Sequence, residues 1–242
     1  MTIAEKITRL KTDIDSVYAA GVRGALGKFW DALQTKGNRT VYYETFFNFG
    51  SEAFYPKYNI KLSGSTGAYG TFRQFPASAG LGDASKRFDL VARLNECGVT
   101  LDTSGATGMY RTFHFSAVTT IPTLDLRNCT SPCEDTFYFC RHLHTIEKII
   151  LPSEENQAFY STFGECAALE NITFEGVIGN SFNMQWSTLL SRASIENIIG
   201  ALSTTASGRK ITLSQTAVNN AFTTAEWTAL VNTRPNWTLA LV

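Results

Sequence analysis

No long run of one charge sign occurs in this chain, and neither sign is in excess, with 21 Lys+Arg against 21 Asp+Glu. It therefore lacks the basic footprint that holds nucleic acid, which is not an expected partner. Long apolar runs are missing too. The opening stretch, MTIAEKITRLKTDIDS, carries a charge every few positions, unlike a secretory signal, and nothing later approaches membrane-spanning length. The expectation is a soluble protein made in the cytoplasm, with no membrane insertion. Catalytic signatures are missing as well. There is no G-x-S-x-G elbow, P-loop, H-E-x-x-H or dinucleotide fingerprint, and the three histidines are His114, His142 and His144. Glu154 and Glu155 are adjacent in a loop after Pro152 and read as a solvated acidic tip. The chain is read as a non-enzyme without a cofactor.

What is present is a core and a recurrence. Hydrophobic residues make up 44% of the chain and aromatics 12%, enough to bury a large interior. Phe163-x-x-Cys166-x-x-Leu169-x-x-Ile172-x-Phe174 echoes Phe137-x-x-Cys140-x-x-Leu143-x-x-Ile146-x-x-Ile149-x-Leu151. A hydrophobic-x-hydrophobic ending recurs at Ile60/Leu62, Val99/Leu101, Leu124/Leu126 and Ile211/Leu213. Subtracting 60, 99, 124, 149, 172 and 211 in turn gives intervals of 39, 25, 25, 23 and 39. Recurrence at this spacing predicts an α/β leucine-rich-repeat solenoid, in which each unit holds one short parallel strand and a return arc and buries its apolar edge only by stacking. Strand side chains alternate, so the middle residues Lys61, Thr100, Asp125, Ile150, Thr173 and Thr212 form the predicted outward row and the candidate binding residues. Phe, Cys and Leu at three-residue spacing fit a return arc of tight turns, where residues three apart lie above one another.

Five cysteines, an odd number, stand at 97, 129, 133, 140 and 166. Those at equivalent repeat positions, Cys140 and Cys166, fit a stacked core. The string Cys129-x3-Cys133-x6-Cys140-x-His142-x-His144 holds zinc-type ligands but lacks a paired C-x2-C, and no metal is assigned to it. Residues 1 to 37 read as a helical attachment or oligomerisation segment. Ile3, Ile7, Leu10, Ile14 and Val17 alternate spacings of four and three, a seam that seeks either a second helix or the chain's own body. A second helical segment runs from Lys28 to Thr35. Residues 38 to 58 are dense in aromatics and read as a lid over the first strand of an array spanning 59 to 213, or as a ligand-stacking surface.

Two helices are expected within the longer intervals. They run from Arg87 to Glu96 and from Ser194 to Leu202, the latter with Ser194 as N-cap and the Asn197 side chain nearby. Gly98 and Gly208 suit left-handed turns back to the strands. Residues 214 to 242 form a C-terminal cap, with one helix over Ala217 to Asn232, a stop at Pro235 and a last strand over Trp237 to Leu241.

The segments FWDALQTKGNRT, PKYNI, FDLVARLNECGVTLDTS, EKIILP, ITFEGVIGN, SIENIIGAL, ITLSQTAVNNAF and PNWTLALV, with the Cys140 to Phe174 string, cover nearly the whole chain. In them it resembles the BspA-like leucine-rich-repeat proteins encoded in phage and prophage regions of gut Firmicutes. The resemblance implies a virion-associated protein, often among tail genes, made in the bacterial host cytoplasm without a signal peptide. It further implies binding to a host surface, expected to be a protein or glycan; the seam of the N-terminal helix is expected to attach the chain to other virion proteins and to form homo-oligomers. A purely structural baseplate or decoration role and a bacterial surface adhesin are the alternatives.

Overall fold

The computed structural model describes residues 59–64, 89–98, 100–130, 133–152 and 161–242. Both N-terminal segments, including Ile3, Ile7, Leu10, Ile14 and Val17, the helix from Lys28 to Thr35, the aromatic stretch 38 to 58, Val99 and the Glu154/Glu155 tip lie outside the described residues. The rest is a mixed α/β chain of short parallel strands in small sheets, with four helices among the described residues. In chain order the elements are β1 (Ile60–Gly64), α1 (Leu90–Glu96), β2 (Leu101–Ala106), β3 (Thr120–Asp125), β4 (Thr145–Ile150), β5 (Asn171–Glu175), β6 (Phe182–Met184), α2 (Arg192–Ala201), β7 (Arg209–Leu213), α3 (Gln215–Ala221), α4 (Thr224–Val231) and β8 (Trp237–Leu241). No described helix is long and apolar enough to cross a membrane.

Among the described residues every strand pairing is parallel, in three sheets ordered β1-β2, β3-β4-β5 and β6-β7-β8. The first two sheets are joined through a side chain. Thr103 Oγ1 donates to Asp125 O at 3.2 Å and accepts from Asp125 N at 2.7 Å. Five of the six predicted couplets turn inward, since Ile60, Leu62, Leu124, Leu126, Ile149, Leu151, Ile172, Phe174, Ile211 and Leu213 are all buried; in the sixth, Leu101 is half-buried and Val99 lies outside the described residues.

Their register differs from the spacing inferred above. Ile60 pairs with Leu101 in place of Val99, and Ile149 with Phe174 in place of Ile172. The latter register makes the interval 174 − 149 = 25, equal to that between Ile121 and Ile146. A bulge between Ile146 and Ile149 absorbs the difference, placing two residues of one strand opposite one of the next.

Between the strands, the return arcs form a hydrogen-bonded ladder of their own. Arg111, Phe113 and Phe115 N–H donate to Glu134, Thr136 and Tyr138 O, and Phe137 and Phe139 N–H donate to Thr162 and Gly164 O. Successive arcs share left-handed residues: Arg111, Asp135 and Ser161 have φ of 54°, 54° and 53°, and Phe115, Phe139 and Glu165 have 60°, 62° and 60°. Six side-chain-bearing residues at positive φ are unfavourable individually, by about 1–2 kcal/mol each. The interlocking backbone bonds hold them there. Inside the arcs, Phe113 stacks on Phe137 at 5.4 Å and Phe137 on Phe163 at 6.0 Å. Phe163 then meets Phe182 of β6 at 6.4 Å, joining the second sheet to the third.

The helices depart from expectation in three places. α1 starts at Leu90, where the Asp89 carboxylate accepts from Val91 and Ala92 N and so caps the helix; Arg87 lies outside the described residues. α2 starts at Arg192 with Ser191 as N-cap. Ser194 lies within it, accepting from Ile172 N and donating to Glu170 O. The single C-terminal helix is two, α3 and α4, because Phe222 is extended and Thr223 forms a capping box with Glu226. Gly98 and Gly208 do take positive φ, of 65° and 66°.

α2 replaces a strand beside β5. Asn197 Oδ1 accepts from Phe174 N at 2.7 Å and its Nδ2 donates to Phe174 O at 3.2 Å, while Ser194 serves Ile172 N. Covering an edge in this way removes a row of otherwise open donors and acceptors.

Candidate interaction faces

The predicted outward row is only partly a row. Lys61 is exposed, but its cross-strand neighbour is Asp102, with which it pairs at 3.5 Å; Thr100 lies one residue before β2, also exposed. Asp125 and Ile150 are half-buried neighbours, and the next position along is Glu175, not Thr173. Thr173 is exposed beside them. Thr212 is the clear miss. It is buried in the central strand of its sheet, between Asn183 and Ala240, and offers no outward surface.

The strand face is polar and internally paired. Lys148 bridges to Glu175 at 2.8 Å, and the Asp125 carboxylate is held by the Arg127 guanidinium, Nε lying 3.0 Å away. That hydrogen bond keeps the Asp125 carboxyl below its ordinary range. Partial burial opposes ionisation of Asp102, but hydrogen bonds from Ser104 and the Lys61 charge outweigh it and lower its pKa. Thr123, Glu147 and Thr173 stand exposed around the half-buried Ile150. The surface carries charge of both signs.

A second face emerges on the return arcs, and spacing alone left it hidden. Backbone bonds from Ser116, Cys140, Cys166 and Ser187 N–H to the carbonyls of Phe113, Phe137, Phe163 and Met184 mark four equivalent turns. Cysteine in two of these positions and serine in the others disguised the series. Two residues after each core member come Phe115, Phe139, Glu165 and Trp186. Phe115 stacks on Phe139 at 4.7 Å, Arg141 lies over Phe139 at 4.9 Å, and its guanidinium reaches Glu165 at 2.9 Å. Arg111 similarly reaches Asp135 at 3.1 Å on the next arc. Trp186 and Leu189, 36% and 51% exposed, complete an amphipathic strip. Beneath it Tyr138 lies over Gly164, where a methyl group would overlap its ring.

The proposed zinc-type string is divided by the fold. Cys129 and Cys133 touch, Cys140 Sγ points to Phe113 O at 2.9 Å, and His142 and His144 are exposed. Among the described residues no three His, Cys, Asp or Glu side chains converge as metal ligands. Burial pushes the Cys140 thiol well up and the Cys166 thiol up to about 12, so both remain protonated core groups. A cleft of about 290 Å³ opens at the C-terminal end of α2, beside Gly176, Val177, Leu202 and Thr205. Its one charged residue, Arg234, donates to the carbonyls of Gly200, Leu202 and Thr233, a helix-capping role.

Compared with known proteins, the chain matches no family model, no curated protein and no solved structure.

Proposed function

We propose that this protein is a non-enzymatic binding module of a phage or prophage-derived particle, tail-associated, that recognises a host-surface protein or polysaccharide through a leucine-rich-repeat solenoid of the BspA-like type. One observation carries the reading. Equivalent buried positions keep their character, Phe113, Phe137, Phe163 and Met184, while the outward positions two residues on change from half-buried Phe115, Phe139 and Glu165 to exposed Trp186. A stack that preserves its interior and varies its exterior is suited to presenting surface chemistry. The placement on a virion follows from the family resemblance alone. Lys61, Thr100, Asp125, Ile150 and Thr173 remain the host-facing candidates; Thr212 leaves the set because it is buried.

The test is binding of the purified full chain to host cells and their wall glycans. The double variant Lys61→Ala/Thr173→Ala, at two exposed positions, is expected to weaken binding at least about tenfold, the scale of a lost interface contact, with melting temperature nearly unchanged. Absence of cell binding by the wild-type chain, together with co-assembly with tail proteins, establishes the structural virion role instead. The exposed Trp186 and Leu189 favour that second reading, because aromatic and aliphatic anchors suit contacts with other proteins. Recovery of the protein in the cell-wall fraction identifies a bacterial adhesin. Oligomers held by Ile3, Ile7, Leu10, Ile14 and Val17 would become monomers on removal of residues 1 to 37, as read by light scattering.

A further inference from the structure

Cys129 and Cys133 are buried and not joined by a disulfide, with sulfurs 3.3 Å apart. Both are pinned by backbone bonds. Cys129 N donates to Leu126 O at 2.9 Å, and Cys133 O accepts the hydroxyls of Thr136 and Thr162 at 2.8 and 2.6 Å. A disulfide needs about 2.04 Å between sulfurs, so side-chain rotation through little more than ~1 Å closes the gap. Cys140 and Cys166 are different, since each thiol points to a carbonyl of the preceding arc.

We propose that Cys129 and Cys133 are a modification site that becomes a disulfide when the protein passes from a reducing to an oxidising compartment, locking the turn between β3 and the return arc that follows. The oxidant is a low-molecular-weight disulfide such as oxidised glutathione. One cysteine thiolate attacks a glutathione sulfur, breaking that S–S bond and releasing one glutathione thiolate. The other cysteine thiolate then attacks the cysteine sulfur of the mixed disulfide and releases the second. Two electrons and two protons pass from the cysteines to two glutathione molecules. The hydrogen bond with Cys129, and then burial, push the Cys133 thiol well up. Exchange therefore proceeds through local opening, and the reduced pair persists where the surroundings are reducing.

The test equilibrates the full reduced chain with glutathione buffers of stepped redox poise, then denatures it, alkylates it and weighs it. Of five cysteines, 5 − 2 = 3 are expected to be alkylated at the oxidising end, with the cross-link mapped to Cys129 and Cys133. The equilibrium constant is expected to be at least about tenfold larger for the folded chain than for the same chain in guanidinium, because the fold holds the sulfurs together. Cys129→Ser and Cys133→Ser are each expected to leave all four remaining thiols alkylated. Five alkylated thiols at every poise, a persistent glutathione adduct on Cys129 or Cys133, a cross-link between other cysteines, or a constant no larger when folded overturns the proposal.

Discussion

Replacing Asn197 with alanine uncovers the edge of β5. Its side chain supplies Phe174 with both an acceptor and a donor, the two contacts that a neighbouring strand would provide. A hydrogen bond contributes about 1 kcal/mol net, and a buried polar group deprived of its partner costs about 1–3 kcal/mol. With two groups at a part-buried site, Asn197→Ala is expected to cost about 2–4 kcal/mol, toward the lower figure where water enters the opened edge. Asn197→Asp keeps the acceptor for the amide but sets an oxygen against the Phe174 carbonyl, so it also destabilises. Urea unfolding followed by tryptophan fluorescence gives the global loss, and native-state hydrogen exchange gives its location. The Phe174 amide should exchange faster, while that of Ile172, held by Ser194, changes less. A loss below about 0.5 kcal/mol with Phe174 protection intact would mean that α2 is not the partner of this edge, since even one net hydrogen bond exceeds that figure.

Other outcomes follow from the same geometry. Phe137, buried between Phe113 and Phe163, should lose about 3–5 kcal/mol on replacement by alanine, against about 1 kcal/mol for half-buried Phe139; equal losses in denaturant titrations would contradict the interior ladder. Gly164→Ala drives the Tyr138 ring aside and is expected to cost about 1–3 kcal/mol, yet to be nearly neutral in a Tyr138→Ala background, a coupling measurable by a double-mutant cycle. The Glu226 carboxyl is lowered from 4.5 to about 2, first by the Thr223 backbone N–H, then by the Thr223 hydroxyl and Arg192. A depressed folded pKa stabilises above the unfolded value and is lost as pH falls through the folded one. The melting-temperature advantage of wild type over Glu226→Gln, which preserves the capping box, should thus shrink between about pH 5 and about pH 2; a constant difference across that window refutes the assignment.

Much of the architecture was legible where side-chain type repeats. Phe137-x-x-Cys140 and Phe163-x-x-Cys166 announced the buried arcs, and the aliphatic couplets announced the strands. The equivalent turns at Phe113/Ser116 and Met184/Ser187 escaped because a small hydroxyl substitutes for a thiol and methionine for phenylalanine, changes a core tolerates but a pattern search does not. β6 escaped for a related reason. Three residues are too short to show an alternation. The break between α3 and α4 was written in Thr223-Thr224-Ala225-Glu226, a capping box, but an unbroken apolar stripe on both sides masked it.

The sequence by itself determined that most of the aliphatic couplets and the Phe and Cys of the arcs lie inside, because their burial follows hydrophobicity and periodicity, both local properties. It also determined the parallel-strand, mixed α/β character and the left-handed turns at Gly98 and Gly208. Tertiary structure alone decided register and neighbours. A bulge set Ile150 beside Glu175 instead of Thr173, a central-strand position buried Thr212, and the stacking of arcs brought Phe115 over Phe139 and Cys129 against Cys133. Those outcomes depend on hydrogen bonds and contacts between residues distant in the chain, and local spacing carries no record of them.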